Sequence, residues 1–69
     1  MTEVRIKDDF IKLGQALKLA GFVSQGVDAK FMIQNGQVQV NGETEERRGR
    51  KLYEGDRFSM DGKEARIVK

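Results

Sequence analysis

From Thr2 to Ile6 polar and apolar residues alternate with Val4 and Ile6 on one side, which predicts a short, half-buried strand. The period then lengthens. Phe10, Leu13, Leu17 and Ala20 recur at helical spacing behind Asp8 and Asp9, whose carboxylates suit the free amides of a helix start. A first helix is therefore expected there, ending at Gly21. The segment GFVSQGV, residues 21–27, reads as a turn because glycines flank its polar pair. A second helix of about nine residues follows, with Ala29, Met32 and Ile33 as its buried stripe and Asp28 near its positive end. Asn35-Gly36 supplies the left-handed stop.

The rest of the chain reads as strands and tight turns. In QVQVNGET, Val38 and Val40 alternate with glutamines, and Asn41-Gly42 is a favoured dipeptide for a two-residue hairpin that needs positive φ. Glu54-Gly55-Asp56 makes a turn, Phe58 and Met60 alternate in a further strand, and Asp61-Gly62 predicts a second hairpin into Ala65, Ile67 and Val68. The implied fold is α+β: two short helices packed against one side of a small, mostly antiparallel sheet with hairpins. One domain is expected to fill residues 1–69. Periodicity assigns Phe10, Phe31 and Phe58 to the core, and packing is also the expected place of Phe22. Of the neighbours Leu52 and Tyr53, the leucine is expected to face inward.

Composition narrows the function more than the fold. A chain of 69 residues buries only about 60% of the surface that its unfolded form exposes, so its core must be regular. Cysteine and histidine are both absent, which removes disulfides, thiolate metal sites and the commonest neutral-pH general base. Ser24 and Ser59 have no histidine to activate them, and the aspartates and glutamates lack the ladder spacing of a calcium loop. Neither catalysis, a metal nor a cofactor is expected. No apolar run approaches the roughly 20 residues of a membrane span, and the first residues lack the order of a secretory signal. The expected setting is the cytoplasm.

Thirteen lysines and arginines against eleven acids give a net charge of only +2. Charges are screened over about 8 Å at physiological salt, so clustering matters more than the sum. Arg47, Arg48, Arg50 and Lys51 form one such cluster, directly after Glu43, Glu45 and Glu46. Planar guanidinium groups pair with phosphates in a bidentate manner, which points to an anionic polymer. The same arginines could equally pair with the preceding glutamates in an inert loop, and the cluster alone leaves both readings open. The turn Ser24-Gln25-Gly26 leads into the second helix, where outward amides and the helix dipole favour a phosphate. Tyr53 is a candidate for stacking on an unpaired base.

The run LGQALKLAGFVSQGVDAKFMIQNGQVQVNGE followed by RRGRKLYEGD resembles the RNA-binding module named after ribosomal small-subunit protein four, also called the alpha-L motif. The likeness spans about residues 12–60, and its most diagnostic part is AKFMIQNGQVQVNG. Within that family the chain is similar to the small stand-alone bacterial proteins of the YaaA and YbcJ type. The resemblance implies a partner of structured RNA, ribosomal or transfer RNA. The helices and the following hairpin would meet its backbone, placing Lys12, Lys18, Ser24, Gln25, Gly26, Lys30, Gln34 and the 47–51 cluster at the interface. Many members carry several arginines in the turn and first part of the second helix. This chain has Ser24, Gln25, Gly26, Val27 and Asp28 there, so Arg47, Arg48, Arg50 and Lys51 are expected to supply the missing phosphate contacts.

The expectation is thus a monomeric, non-catalytic RNA-binding protein that acts through phosphates and shape, in ribosome assembly or on a ribosomal particle, with no membrane and no small-molecule substrate. One alternative is a protein-interaction module that uses the charged segment 43–51. A small sulfur-carrier domain fits less well, because that function needs a Gly-Gly tail and the sequence closes on Ile67-Val68-Lys69.

Overall fold

The computed structural model describes residues 1–69. The chain runs β1 (Thr2–Arg5), β2 (Phe10–Lys12), α1 (Leu13–Leu19), α2 (Gly26–Gln34), β3 (Val38–Val40), β4 (Glu43–Thr44), β5 (Lys51–Tyr53), β6 (Arg57–Met60) and β7 (Lys63–Val68). Two sheets result: five strands in the order β1-β7-β6-β3-β4, and a separate ladder of β2 with β5. All pairings are antiparallel except β1 with β7. The architecture is α+β, with two helices and a mostly antiparallel sheet.

Two-residue turns organise the larger sheet. Asn41 and Gly42 have φ of 52° and 87°, and Asp61 and Gly62 have 52° and 78°. Positive φ at both central positions is what lets a two-residue loop follow the twist of its strands. The turns set Val40 opposite Glu43 and Met60 opposite Lys63. With register set, Val38, Val40, Phe58, Met60, Ala65 and Ile67 all fall on one buried face. Ala16, Leu17, Ala29 and Ile33 cover that face from the helices.

The first helix begins later than its apolar spacing predicts. Asp8 and Asp9 lie in a bend, and Phe10 belongs to β2 instead of to a helix. The backbone of β2 finds its partners far along the chain: Phe10, Ile11 and Lys12 stand opposite Tyr53, Leu52 and Lys51. Ile11 and Leu52 are the buried pair of this ladder. The ladder also starts the helix, because the Leu13 amide donates to the Arg50 carbonyl at 2.9 Å and the Gly14 amide to the Arg48 carbonyl at 3.2 Å. Lys12 precedes the helix in extended conformation and makes no side-chain cap. Backbone carbonyls of segment 45–50, which we call the strap, thus take the place that the aspartates were expected to fill.

Two phenylalanines depart from their expected places. Phe31 is 62% exposed, not part of the core. At 100° per residue it points about 160° away from both Ala29 and Ile33, the two residues that α2 buries. Phe10 is only half-buried, since the inward position of its strand goes to Ile11. Phe58 is buried as expected, and Phe22 packs edge-on against it with ring centroids 5.7 Å apart. Leu52 faces inward and Tyr53 outward.

Candidate nucleic-acid interface

The charged strap folds around a single carboxylate. Glu45 continues β4, its amide donating to the Val38 carbonyl, and is 7% exposed. Its Oε2 accepts from the backbone amide of Arg47 at 3.1 Å and from Arg47 Nε at 3.0 Å. Its Oε1 accepts from Arg47 Nη2 at 3.2 Å and Arg50 Nη1 at 2.6 Å. These bonds lower the Glu45 carboxyl from 4.5 to about 2, chiefly through the Arg47 side chain and then Arg50, against the burial that would raise it. The same contact raises the Arg47 guanidinium above its ordinary value. Two of the four clustered cations therefore neutralise an internal acid and shape the loop.

That shaping puts the remaining arginine elsewhere. Arg48 lies against α1, where a Cβ added to Gly14 would come within 2.8 Å of Arg48 Cγ. A glycine at the second position of the helix is what permits this approach. A cleft of about 420 Å³ opens beside it, lined by Lys12, Gly14, Gln15, Lys18, Gly26, Arg48 and Gly49. Three of the seven are cations, three are glycines, of which Gly26 and Gly49 are exposed and Gly14 is buried, and none is acidic or hydrophobic. Lys18 stands in the last turn of α1, where its charge also complements the helix dipole. Gly26 opens α2, and Lys30 follows it by one turn on the same flank, exposed.

Of the residues that the sequence singled out, the structure gathers Lys12, Lys18, Gly26 and Arg48 around this cleft. Lys30 and then Gln34 continue along α2 at four-residue steps, both exposed. Gln25 precedes α2, and its carbonyl accepts from the Asp28 and Ala29 amides. Ser24 turns away, its hydroxyl 3.4 Å from Asp28 Oδ2, and lies in a separate hollow with Phe22, Val23 and Phe31. Lys51 and Tyr53 sit on the outer face of the β2–β5 ladder, near Arg47 and Arg50. Of the cluster expected to replace helix contacts, only Arg48 lines the cleft.

Gly14, Gln15 and Gly49 complete the cleft, and Gln15 was not among the candidates. The signal for it was present: Lys12, Gln15 and Lys18 repeat every three residues, which keeps polar side chains on one flank of a helix. Gly14 was legible only as a helical glycine, because what approaches it lies 34 positions along the chain, as the residue numbers give.

Two helices that carry an acid-free basic cleft, joined to a hairpin sheet by a strap, define a small polyanion-binding module of the alpha-L type. The chain belongs to the S4 domain family, which residues 4–68 match. It is 44% identical over 59 residues to the "Probable ribosome maturation protein RlbA" of Bacillus subtilis, covering 86% of this chain and 83% of that protein. YbcJ of Escherichia coli is 36% identical over 62 residues, 90% of this chain and 89% of YbcJ. The solution structure of YbcJ, reported to reveal an alpha-L motif involved in RNA binding, aligns with a TM-score of 0.77 at 33% identity. That alignment covers all of this chain and 89% of the other.

Proposed function

We propose that this protein binds structured RNA, ribosomal or transfer RNA, by seating backbone phosphates in the cleft between α1, the strap and the start of α2. The observation that carries the reading is the lining itself: Lys12, Lys18 and Arg48 border the exposed glycines Gly26 and Gly49, without an acid or an apolar side chain among them. Apolar lining would suit a small metabolite, whereas convergent cations without an opposing acid suit phosphate. Lys30 extends the basic track along α2. Contacts of this kind position the RNA by its backbone and shape, and they carry little base readout.

The work is binding without catalysis, in the cytoplasm, by a monomer whose single domain is residues 1–69 with its module core at about 12–60. The ribosome-maturation name of the Bacillus subtilis relative supports a place in ribosome assembly. The alternative, a protein-docking segment at 43–51, is less well supported, because Glu45 already pairs with Arg47 and Arg50 inside the strap.

Fluorescence anisotropy with a ribosomal RNA hairpin over a salt series tests the reading. Four phosphates held by Lys12, Lys18, Lys30 and Arg48 give a log-log slope of about −3 to −4. A slope near zero, or an affinity unchanged by reversing Lys18 and Arg48 to glutamate, rejects it. Crosslinking in cells followed by sequencing of the attached RNA identifies the target, and recovery in proportion to total RNA rejects a specific one.

A further inference from the structure

The β2–β5 ladder is the part of the molecule that phosphate binding in the cleft leaves unexplained. Its inner face is Ile11 against Leu52, and its outer face carries two cross-strand pairs, Phe10 with Tyr53 and Lys12 with Lys51. Two lysines set directly opposite each other repel, so the apo protein is slightly destabilised there and an anion between them brings relief. One ladder step away, about 6.7 Å along the strand, the chain presents two aromatic rings. Their centroids are 6.0 Å apart at 51°.

The rings are not equivalent. Lys51 Nζ lies 4.8 Å from the Phe10 centroid, so a cation already covers a face of that half-buried ring. Tyr53 is 48% exposed and borders a hollow with Arg47, Gly49, Arg50 and Lys51. Its backbone is held at both ends, by the ladder to Phe10 and by the turn in which the Tyr53 amide donates to Asp56 Oδ2 at 2.8 Å and the Asp56 amide returns to the Tyr53 carbonyl at 2.9 Å. An exposed aromatic on a fixed backbone, with cations around it, has little entropy to lose when a planar ligand stacks on it. Lys12 belongs both to this face and to the phosphate cleft, so one polymer can occupy the two together.

We infer that the outer face of the β2–β5 ladder is a nucleotide subsite, in which one unpaired base stacks on Tyr53 while its flanking phosphate lies between Lys12 and Lys51. The inference rests on the RNA-binding reading and makes it more definite: the preferred RNA has an unpaired nucleotide beside the duplex whose backbone fills the cleft. Such a base is sequence-tolerant, because every base offers a π face to an aromatic ring.

Two probes separate this subsite from the cleft: a short RNA hairpin with one bulged adenosine, and the same hairpin with an abasic bulge of identical charge. The intact protein is expected to bind the adenosine probe on the order of tenfold more tightly. Tyr53→Ala brings the ratio of the two affinities to about one, whereas Tyr53→Phe retains it. Because Tyr53 is the single tyrosine and there is no tryptophan, intrinsic emission reports on this ring alone, and the adenosine probe quenches it in the unmutated protein. Equal affinity for both probes with unchanged tyrosine emission overturns the subsite and leaves the cleft standing. Failure to bind either probe at low salt overturns the cleft reading, and the subsite falls with it.

Discussion

The arginines of the strap and the cations of the cleft have the same chemistry and opposite roles. Arg47 and Arg50 converge on the nearly buried Glu45, although the Arg47 side chain is still 75% exposed and that of Arg50 34%. Arg48, between them in sequence, points the other way, over Gly14 and into an acid-free cleft with Lys12 and Lys18. Alternate direction along a bent loop separates a structural charge from one available to a ligand. The number of cations in a stretch of sequence therefore overstates the positive charge it offers, and the difference is set by which carboxylate the fold brings within reach.

The largest expected effect tests the cleft side of this contrast. Lys18→Glu with Arg48→Glu removes two cations and adds two acids, and RNA affinity by anisotropy is expected to fall roughly a hundredfold or more at physiological salt. The fold should persist, because α1 is started by the backbone carbonyl of Arg48 and not by its side chain. Arg47→Ala, by contrast, should lower affinity no more than about threefold, since that side chain already serves Glu45. Equal losses in the two variants would erase the distinction.

Glu45→Gln tests the structural side. Removing the charge that holds two guanidinium groups is expected to lower stability by about 1–2 kcal/mol, read as a fall in Tm of roughly 4–16 °C for a domain of this size. Acid titration sharpens the same point. The folded carboxyl is depressed to about 2 from 4.5, so its contribution to stability is complete above pH 4.5 and disappears as pH falls toward 2. The Tm difference between wild type and Glu45→Gln should therefore close over that window, and a constant difference down to pH 2 would contradict the assigned role.

Gly14→Ala tests the junction of the two regions. A Cβ there meets Arg48 Cγ at 2.8 Å, so the arginine must shift out of its place over the helix. RNA affinity is expected to drop severalfold, while stability changes by less than about 1 kcal/mol because alanine favours the helix that the clash disfavours. The smallest effect is expected at Phe31→Gln, which lines neither the cleft nor the strap hollow. Its ring is mostly exposed, and thermal unfolding should move by no more than about 0.5 kcal/mol.

Legibility in the sequence followed the range of the interactions. The Asn41-Gly42 and Asp61-Gly62 hairpins were readable because a turn type depends on the φ preference of two adjacent residues. So were the Asn35-Gly36 end of α2 and the alternation of Val38, Val40, Phe58 and Met60. Phe10 was misread because its distance to Leu13 and Leu17 suits a helix equally well, and the pairing that makes it a strand lies with Tyr53. Phe31 was misread because a nine-residue helix with Ala29 and Ile33 inward needs no further apolar residue on its outer face. In the site, Lys12, Lys18 and Gly26 were reachable through the family resemblance, but the separation of Arg48 from its neighbours was not legible.

Local preference alone thus determined the turns, the second helix and the alternation that builds the larger sheet. These depend on backbone sterics and on periods of two and 3.6 residues, which neighbouring side chains report directly. Only the tertiary structure decided that strap carbonyls begin the first helix, that Glu45 claims Arg47 and Arg50, and that Arg48 reaches the cleft over Gly14. Each of these choices is a competition among partners brought together by chain closure, and its outcome depends on distances that no single stretch of the sequence contains.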